Sequence, residues 1–440
     1  MGLNMLRLSS SQSDFARLLD SRTGWEEGSL AQVEGRVSEI LKRVRIDGDT
    51  ALLELTAELD GWTCSDISQV SVGEDEIEKA VSACSADQIE ALQAAAERIQ
   101  SYHQYQVQES WSYRDELGNL LGQQVTSIER VGIYVPGGKA SYPSSVLMNA
   151  IPAKAAGVEH LTMVTPTPGG EYNPLVLAAA KIAGVDRIYR IGGAQAIAAL
   201  AYGTSTIDKV DKIVGPGNAY VAAAKRQVFG RVGIDMVAGP SEILVIADGS
   251  VSAEWIAMDL LSQAEHDEVA QSILISPNAD YLDEVTNQLE LLLGSLERED
   301  IARASLKAKG IIIQSRDIAE AIQLSNQIAP EHLELAVADA EAFLPQVKNA
   351  GAIFLGAYSP EAVGDYSAGP SHVLPTSATA RFSSPLGVYD FQKRSSVIGC
   401  SQEGSASLAK TASVLARSES LTAHARSAEY RMKVPHKKLN

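Results

Sequence analysis

The chain has 440 residues, which is more than a single hydrophobic core usually organises, so two or more domains are expected. Its 45% hydrophobic and 21% charged residues are typical of a soluble globular protein. The formal net charge of −18 argues against nucleic acid and anionic membrane surfaces as partners, because both attract clusters of Lys and Arg.

The cysteines and the N-terminus indicate a cytoplasmic protein. Cys64, Cys84 and Cys400 are far apart and form no CxxC pair, so they predict neither a disulfide framework nor a thiolate zinc site. The N-terminus lacks the basic-then-apolar pattern of a signal peptide. No apolar run reaches the roughly 18 residues that would predict a membrane span.

The first 130 residues or so are predicted to be mainly helical. Apolar residues recur there at three-to-four spacing, with charged residues between them, over residues 33–46, 75–84 and 85–105. Asp49 and Thr50 form a candidate N-cap for a further helix over residues 51–58.

From residue 130 the pattern changes to strands that alternate with helices. The first series predicts strands over 130–135, 160–164, 187–191 and 212–214, with helices over 145–156, 173–183, 195–202 and 219–229. The second predicts strands over 242–246, 271–275, 310–313, 333–337 and 352–355, with helices over 253–264, 281–293 and 317–328. This alternation is typical of parallel sheets with crossover helices, and it predicts an α/β protein with two sheet-bearing domains and a cleft between them. The tail from about residue 386 is predicted to contain helices and a strand over 396–399.

Histidine is scarce, yet four of the seven copies lie in short polar segments of the second half of the chain: His266, His332, His372 and His424. Gln263 and His266 are three residues apart at a helix end, so both face one direction. With Asp365 and His424 they could form a mixed nitrogen and oxygen site for a divalent ion such as zinc. An exposed helix end remains an alternative interpretation of Gln263 and His266.

Glu331 and His332 are neighbours behind Pro330, at a predicted loop-to-strand junction. A carboxylate and an imidazole that both turn into a cleft could divide two proton-transfer tasks. A solvated charge pair at a turn explains the local sequence equally well.

Glycine-rich turns follow three predicted strands, at residues 136–138, 192–195 and 215–218. Each precedes a helix whose N-terminus could hold a phosphate group, but none is a GxGxxG motif. Plain strand-to-helix turns explain them as well. The chain also lacks GxSxG, HExxH and Walker A motifs, which excludes serine hydrolases of that type, zincins and P-loop enzymes.

Several longer strings resemble the histidinol dehydrogenase family, and the similarity extends over nearly the whole chain from GDTAL at 48–52. They are GIYVPGG (132–138), GGAQAIAALAYGT (192–204), VDKIVGPGNAYV (210–221), DMVAGPSEILVIAD (235–248), LLSQAEHD (260–267), APEHLEL (329–335), GDYSAGPSHVLPT (364–376) and LTAH (421–424). These strings are long and specific to that family.

The resemblance implies an enzyme that uses one zinc ion per subunit and NAD to oxidise L-histidinol twice, through the aldehyde, to L-histidine. It implies Gln263, His266, Asp365 and His424 as metal ligands, and a zinc ion that binds the imidazole and amine of the substrate. It also implies His332 as the base for the alcohol proton, and Glu331 as the group that activates water on the aldehyde.

The remaining positions that match the family's site lie on the substrate and cofactor sides. Ser241, His372 and Glu419 correspond to substrate contacts, beside the metal ligands and His332. Tyr134, Gln195 and Asn218 correspond to the cofactor side.

The family resemblance also implies two Rossmann-like domains and a homodimer whose terminal segments extend onto the partner. We expect a helical segment at 1–30, a first domain of 31–132 with 241–385, and a second domain of 133–240. Residues 386–440 would then contribute Glu419 and His424 to the active site of the partner.

Two alternatives to this activity follow from the sequence. A paralogous zinc and NAD dehydrogenase could oxidise another polar alcohol, such as a sulfopropanediol, and Ser371, where the family often has Asn, leaves room for it. Its pocket would be expected to differ at positions such as His332, His372 and Glu419, which this chain retains. A non-catalytic binding protein on this fold would be expected to have lost Glu331, His332 or a metal ligand, and none is lost.

Overall fold

A computed structural model describes residues 3–24, 27–137 and 142–432, without the side chains of residues 27–32. Gly138, in the first of the predicted glycine-rich turns, lies outside the described residues, as do residues 433–440 of the predicted C-terminal segment. The described chain forms two compact units, the first of residues 1–106 with 128–391 and the second of residues 107–127 with 392–440.

The strands of the described residues form three sheets. In chain order they are β1 (Leu6–Ser9), β2 (Trp111–Arg114), β3 (Leu120–Ser127), β4 (Arg130–Tyr134), β5 (His160–Val164), β6 (Arg187–Tyr189), β7 (Lys212–Val214), β8 (Gly233–Ile234), β9 (Glu242–Ala247), β10 (Gln271–Ser276), β11 (Ile311–Gln314), β12 (His332–Ala336), β13 (Ala352–Leu355) and β14 (Gln392–Gly399).

The first unit contains two fully parallel sheets. One has six strands in the order β1-β11-β10-β9-β12-β13, and the other has five in the order β6-β5-β4-β7-β8. In the five-stranded sheet, and in the six-stranded sheet from β9 onward, the chain adds strands in one direction and then returns to the other side of the strand from which it set out, β4 or β9. Both sheets therefore have a topological switch point, between β9 and β12 and between β4 and β7.

The α-helices of the described residues cover the sheets and extend the second unit. In chain order they are α1 (Phe15–Thr23), α2 (Glu27–Asp47), α3 (Asp49–Leu59), α4 (Glu74–Ala83), α5 (Ala86–Gln104), α6 (Pro143–Ala155), α7 (Pro174–Ile182), α8 (Gly193–Tyr202), α9 (Ala219–Val228), α10 (Ala253–Ala264), α11 (Ala279–Leu293), α12 (Glu299–Lys309), α13 (Ile318–Ile328), α14 (Ala340–Phe343), α15 (Glu361–Tyr366), α16 (Gln402–Ser418) and α17 (Thr422–Met432). Among the described helices, none is long and apolar enough to cross a membrane.

The six-stranded sheet is buried on both faces, as the period of two along a strand requires. Ile243 and Val245 of β9 belong to a core that includes α10, α11 and α12. Leu244 and Ile246, which alternate with them, belong to a core that includes α1 and α13 on the opposite face. The nearly continuous apolar sequence of these strands follows from that double burial.

The helices α2 and α3 pack with the five-stranded sheet. Val37, Leu52 and Leu55 are fully buried in a core that includes Ile197 and Ile213 of the five-stranded layer. This packing attaches residues 37–70 to the sheet that begins with β4. The predicted domain boundaries, which grouped these residues with 241–385, stay a prediction.

The second unit is built around an antiparallel sheet in the order β14-β3-β2. Its strand β14 pairs with β3 from Gln392 opposite Ser127 to Gly399 opposite Leu120. Ser401 caps α16 and its hydroxyl donates to the carbonyl of Leu117. The unit therefore joins two segments that lie about 270 residues apart in the sequence.

The predicted α/β alternation is confirmed for most elements, and β5, β7, β13 and α10 have the predicted bounds. The strands β1, β2, β3 and β8 and the helices α12, α14 and α15 were not predicted, while α1 lies within the helical segment expected at 1–30. The proposed cap at Asp49 is wrong, because α3 begins at Asp49 itself after Gly48, and the Asp49 carboxylate instead accepts a hydrogen bond from Thr206.

Gly132 lies in the central strand β4, and a methyl group there would have no free space. An added Cβ would lie 2.8 Å from Leu200 Cδ1 and 3.2 Å from Val210 Cγ2. We expect Gly132→Ala to lower the free energy of unfolding by about 1–3 kcal/mol through overpacking. Denaturant unfolding followed by circular dichroism measures the change.

Gly35 provides the matched control, because it lies inside α2 with nothing within 4 Å of an added Cβ. Gly35→Ala should raise the free energy of unfolding by about 1 kcal/mol, since alanine is the better helix former. Equal effects of the two substitutions would contradict the packing at Gly132.

Candidate active site

A cleft lies between the two parallel sheets of the first unit and has a volume of about 590 Å³. The five-stranded sheet reaches it with the turns that follow β4 and β7, at its switch point. The six-stranded sheet reaches it with residues that precede or open β9, β10 and β12. Carboxyl ends of strands on one side thus meet amino ends of strands on the other. The lining includes Pro136, Tyr142, Ser145, Pro216, Gly217, Asn218, Ser241, His266, Glu331, His332, Glu361, Asp365 and His372.

Glu331 and His332 enter this cleft at the junction between α13 and β12. Ala329 ends α13 in the left-handed conformation, with φ of 57°, and Pro330 follows it. His332 then opens β12, paired with Ile243 on one side and Ala352 on the other. The side chains of Glu331 and His332 are both buried, with 5% and 4% of the residue surface exposed, so the solvated charge pair is excluded.

The main chain of Glu242 fixes both side chains. Its N–H donates to Glu331 Oε2 at 2.9 Å, and its carbonyl oxygen lies 3.0 Å from His332 Nδ1. A carbonyl oxygen only accepts, so Nδ1 carries the proton of a neutral His332 ring. The other ring nitrogen, Nε2, has no hydrogen-bond partner among the described residues and is free to accept a proton.

Buried carboxyl groups surround the His332 ring. Glu361 Oε1 lies 3.6 Å and Glu331 Oε2 lies 3.8 Å from Nδ1, while Asp365 Oδ1 lies 3.6 Å from Nε2. Burial raises the pKa of Glu331 to about 8 and that of Glu361 to about 8. Burial alone would lower the pKa of His332, but the carboxylates of Glu361, Glu331 and Asp365 raise it well above its ordinary value. The cluster formed by the His332 ring and these carboxyl groups can therefore hold and exchange protons near neutral pH.

Gln263 and His266 lie together at the end of α10. Gln263 Nε2 and His266 Nδ1 are 2.8 Å apart, and Gln263 is fully buried. Gln263 Oε1 has no hydrogen-bond partner among the described residues. A buried amide oxygen without a partner beside an imidazole is what a metal ligand pair requires before an ion binds. The interpretation as an exposed helix end is therefore wrong for Gln263.

Asp365 lies on α15, among three histidines. Burial would raise the pKa of its carboxyl group, but the neighbouring ring of His332, together with the charges of His372 and His266, lowers that pKa overall. Its main-chain oxygen lies 2.9 Å from His372 Nδ1, and His372 Nε2 lies 3.3 Å from Ser145 Oγ of α6. His372 thus connects α15 with the side of the cleft that belongs to the five-stranded sheet.

The structure brings together most of the predicted residues of the six-stranded sheet. Ser241 lines the cleft directly before β9, beside Glu331, His332, His266, Asp365 and His372. Glu419 and His424 belong to the second unit, at the end of α16 and within α17, and both are exposed there. The cluster of the first unit does not include them, and their predicted roles stay predictions.

The three predicted cofactor residues follow strands β4, β6 and β7 or end them. Asn218 lines the cleft and caps α9, where its Oδ1 accepts from the N–H groups of Tyr220 and Val221 at 3.0 and 3.2 Å. Tyr134 and Gln195 are buried behind the turn at Gly193, whose N–H donates to the Tyr134 hydroxyl at 3.1 Å. Gln195 Nε2 lies 3.4 Å from Asp60 Oδ2. All three lie at the carboxyl edge of the sheet, where nucleotide cofactors bind in folds of this topology.

Sequence reasoning missed Glu361 and Glu242, which complete the carboxyl cluster. Glu361, His332 and Asp365 offer ligand atoms within 4.8 Å of one another, so Glu361 lies as close to the ring as any predicted residue. The sequence spacing could have indicated Glu361, because it precedes Asp365 by four residues and the two therefore share one face of a helix. Glu242 acts through its main chain, for which side-chain patterns give no signal.

Comparisons with known proteins show the family of the chain. A family model described as histidinol dehydrogenase matches residues 25–432. The chain belongs to the histidinol dehydrogenase family.

The similarity covers whole proteins. A histidinol dehydrogenase of Pseudomonas savastanoi pv. phaseolicola is 60% identical over 429 residues, which are 98% of this chain and 96% of the relative. One of Pseudomonas aeruginosa is 60% identical over 426 residues, or 97% of each chain. The crystal structure of histidinol dehydrogenase from Elizabethkingia anophelis, at 36% identity, covers 98% of both chains with a TM-score of 0.92. The predicted family resemblance and the α/β fold with parallel sheets are confirmed.

Proposed function

We propose that this chain is an L-histidinol dehydrogenase, which catalyses two successive NAD-linked oxidations of L-histidinol through L-histidinaldehyde to L-histidine, the last steps of histidine biosynthesis. The observation that carries the proposal is the buried Glu331–His332 pair in the cleft of a chain that is 60% identical to curated histidinol dehydrogenases over 98% of its length. That degree of identity favours histidinol over the sulfopropanediol-type alternative.

His332 is the base for the first oxidation. The alcohol must lose its hydroxyl proton as the hydride leaves its carbon, and in the neutral form of His332 Nε2 is the nitrogen free to accept that proton. The hydrogen bond from Nδ1 to the Glu242 carbonyl holds the ring in the required tautomer. Glu361 stabilises the protonated ring, since its carboxyl oxygen lies 3.6 Å from Nδ1.

Glu331 is the base for the second oxidation. Water must add to the aldehyde before a second hydride can leave, and a carboxylate that removes a proton from that water speeds the addition. Burial raises the pKa of Glu331 to about 8, which makes its carboxylate a stronger base than an exposed one. Two neighbouring groups thus serve two consecutive proton transfers.

Gln263, His266 and Asp365, with a His424 supplied by the other subunit of a dimer, are the proposed ligands of one zinc ion per subunit. The donor set fits a borderline divalent ion, and Gln263 Oε1 is buried without a hydrogen-bond partner among the described residues. Zinc would supply a Lewis-acid contact for the imidazole and amine of histidinol. Around that contact, Ser241 and His372 orient the substrate within the cleft, and Glu419 is a further substrate contact.

NAD, which would accept the hydride in each oxidation, is proposed to bind along the carboxyl edge of the five-stranded sheet. Asn218 lines the cleft at the switch point between β4 and β7. Tyr134 and Gln195 support the neighbouring turn at Gly193 from behind, so their contribution to cofactor binding would act through that turn.

The protein is further proposed to be a cytoplasmic homodimer whose terminal segments extend onto the partner. The family resemblance supports this assembly, in which Glu419 and His424 would complete the site of the partner. The domains proposed at 31–132 with 241–385 and at 133–240 each contain one of the two parallel sheets, apart from the single strands β1 and β4. The cysteines are free thiols, in agreement with a reducing compartment.

Purified protein with zinc, L-histidinol and excess NAD should form two NADH for each histidinol consumed. The absorbance of NADH, together with chromatographic measurement of histidinol and histidine, gives the ratio. A ratio of one, or no turnover, would refute the proposed function.

His332→Asn should slow histidinol oxidation by about 10²- to 10⁴-fold, because the base for the hydroxyl proton is lost. Metal analysis of the same preparation should find the zinc content of the unsubstituted protein, since His332 is not a proposed ligand. His160→Asn is the control, because His160 is exposed at the start of β5. Loss of zinc in parallel with activity would contradict the division of roles.

Glu331→Gln should slow the oxidation of histidinaldehyde more than that of histidinol. The glutamine keeps an oxygen for the Glu242 N–H but cannot accept the proton of water. In the unsubstituted protein the aldehyde step should accelerate as the pH rises toward about 8, because Glu331 is protonated and inactive as a base below that pKa. The variant should lack this pH dependence; a variant that retains it would show that another group is the base.

A further inference from the structure

The turn between β7 and α9, residues 215–218, has a tightly constrained shape. Gly215 has φ of +107°, and a Cβ at this position would lie 2.1 Å from the main-chain oxygen of Tyr134. The turn therefore lies directly against the end of β4, and no residue larger than glycine fits. From this point Pro216, Gly217 and Asn218 continue into the lining of the cleft.

An ion pair holds both polar main-chain groups of Gly215. Its N–H donates to Asp235 Oδ2 at 2.8 Å, and its carbonyl oxygen accepts from Lys225 Nζ at 2.8 Å. Lys225 and Asp235 also contact each other, with 3% and 1% of their side chains exposed. The two charges thus close a ring of contacts around a single residue of the turn, Gly215.

The two charged residues also connect the turn to its neighbouring elements. Lys225 lies on α9, seven residues or two helical turns after Asn218, so it shares a helix face with that residue. Asp235 follows β8, and its N–H donates to Ile213 of β7 at 3.3 Å. The pair therefore fixes the turn relative to both the helix that follows it and the edge of the sheet.

Stability alone does not explain a buried ion pair at this place. Removing two charges from water costs free energy that their attraction barely recovers, and well-packed apolar residues of similar volume often serve a core equally well or better. Apolar residues could not, however, form directional hydrogen bonds to the N–H and carbonyl of Gly215. These bonds are what the charged pair adds to the turn.

We propose that Lys225 and Asp235 are positioning residues for cofactor binding, which hold the turn of residues 215–218 in the shape that receives NAD. The inference rests on the proposed NAD-linked function and extends it to two residues outside the cleft lining. They act through Gly215 and Asn218, without contact to the substrate.

The experiment compares single and double variants in the presence of zinc and L-histidinol. Lys225→Met and Asp235→Leu each leave a buried charge unpaired, whereas the double variant removes both charges and keeps the volume apolar. We expect the double variant to unfold at a higher temperature than either single variant.

The KM and Kd of the double variant for NAD should nevertheless stay raised by about tenfold or more relative to the unsubstituted protein, because a misplaced turn weakens binding. The KM for histidinol should stay within about twofold of the unsubstituted value, since its proposed contacts lie on other elements.

The milder variant Asp235→Asn makes the test independent of how well the double variant folds. It keeps the size of the side chain and an acceptor for the Gly215 N–H, and loses only the charge. We expect its Kd for NAD to lie between those of the unsubstituted protein and the double variant.

Lys212→Met is the matched control. Lys212 is also buried and paired, with Nζ 2.7 Å from the carbonyl oxygen and 3.2 Å from Oδ1 of Asp390, but it opens β7 at the amino edge. It should lower the unfolding temperature without changing the Kd for NAD.

The outcomes separate this inference from the proposed function. Unsubstituted protein that binds no NAD would refute the proposed function. Unsubstituted protein that binds NAD, together with an Asp235→Asn or double variant that binds it equally well, would overturn only the positioning role. Equal increases of the KM for NAD and for histidinol would also overturn it, since they indicate a general loss of structure.

Discussion

The peptide groups on either side of the Glu242 Cα form hydrogen bonds in opposite directions, and the arrangement of the site depends on them. The N–H holds the Glu331 carboxylate and the carbonyl holds the His332 ring, each at about the ideal distance. These bonds exist because β9 and β12 pair in parallel, with Ile243 opposite His332. The register of two core strands thereby sets the tautomer of the ring and the orientation of the carboxylate.

This arrangement places several carboxyl groups close to the His332 ring, where burial makes their ionisation unfavourable. Glu331 and Glu361 are buried and Glu242 is half-buried, and burial raises the pKa of all three carboxyl groups. A core of this kind would be unfavourable if all three groups were ionised, so it retains protons at neutral pH. The raised pKa values of these carboxyl groups also suit the cluster to an oxidation in which protons are transferred at two successive stages.

The sequence predicts the local elements of this fold well and their long-range contacts poorly. The strands β5, β7 and β13 are short apolar runs bounded by turns, so their limits follow from composition. The strand β1 has only four residues, and its partner β11 lies about 300 residues further along the chain. No pattern within residues 6–9 indicates that pairing.

The same distinction applies to the site. Gln263 and His266 could be predicted as a pair because helical spacing places them on one face. The contact between Glu242 and Glu331 spans 89 residues and uses a main-chain donor, so neither spacing nor residue type indicates it. The predictions for Glu331 and His332 came from polar residues at a strand junction and from the family strings, while their burial became apparent only with the packing of β12 between β9 and β13.

The cleft joins carboxyl ends of one parallel sheet to amino ends of the other, and each sheet has its own hydrophobic core. A substitution in the loops that precede β9, β10 or β12 alters the wall that carries His266, Glu331 and His332, and leaves the turns after β4 and β7 in place. The two walls can therefore accumulate changes separately during evolution. For protein engineering, this modularity makes the loops of the six-stranded sheet the natural positions at which to alter substrate preference without rebuilding the opposite wall.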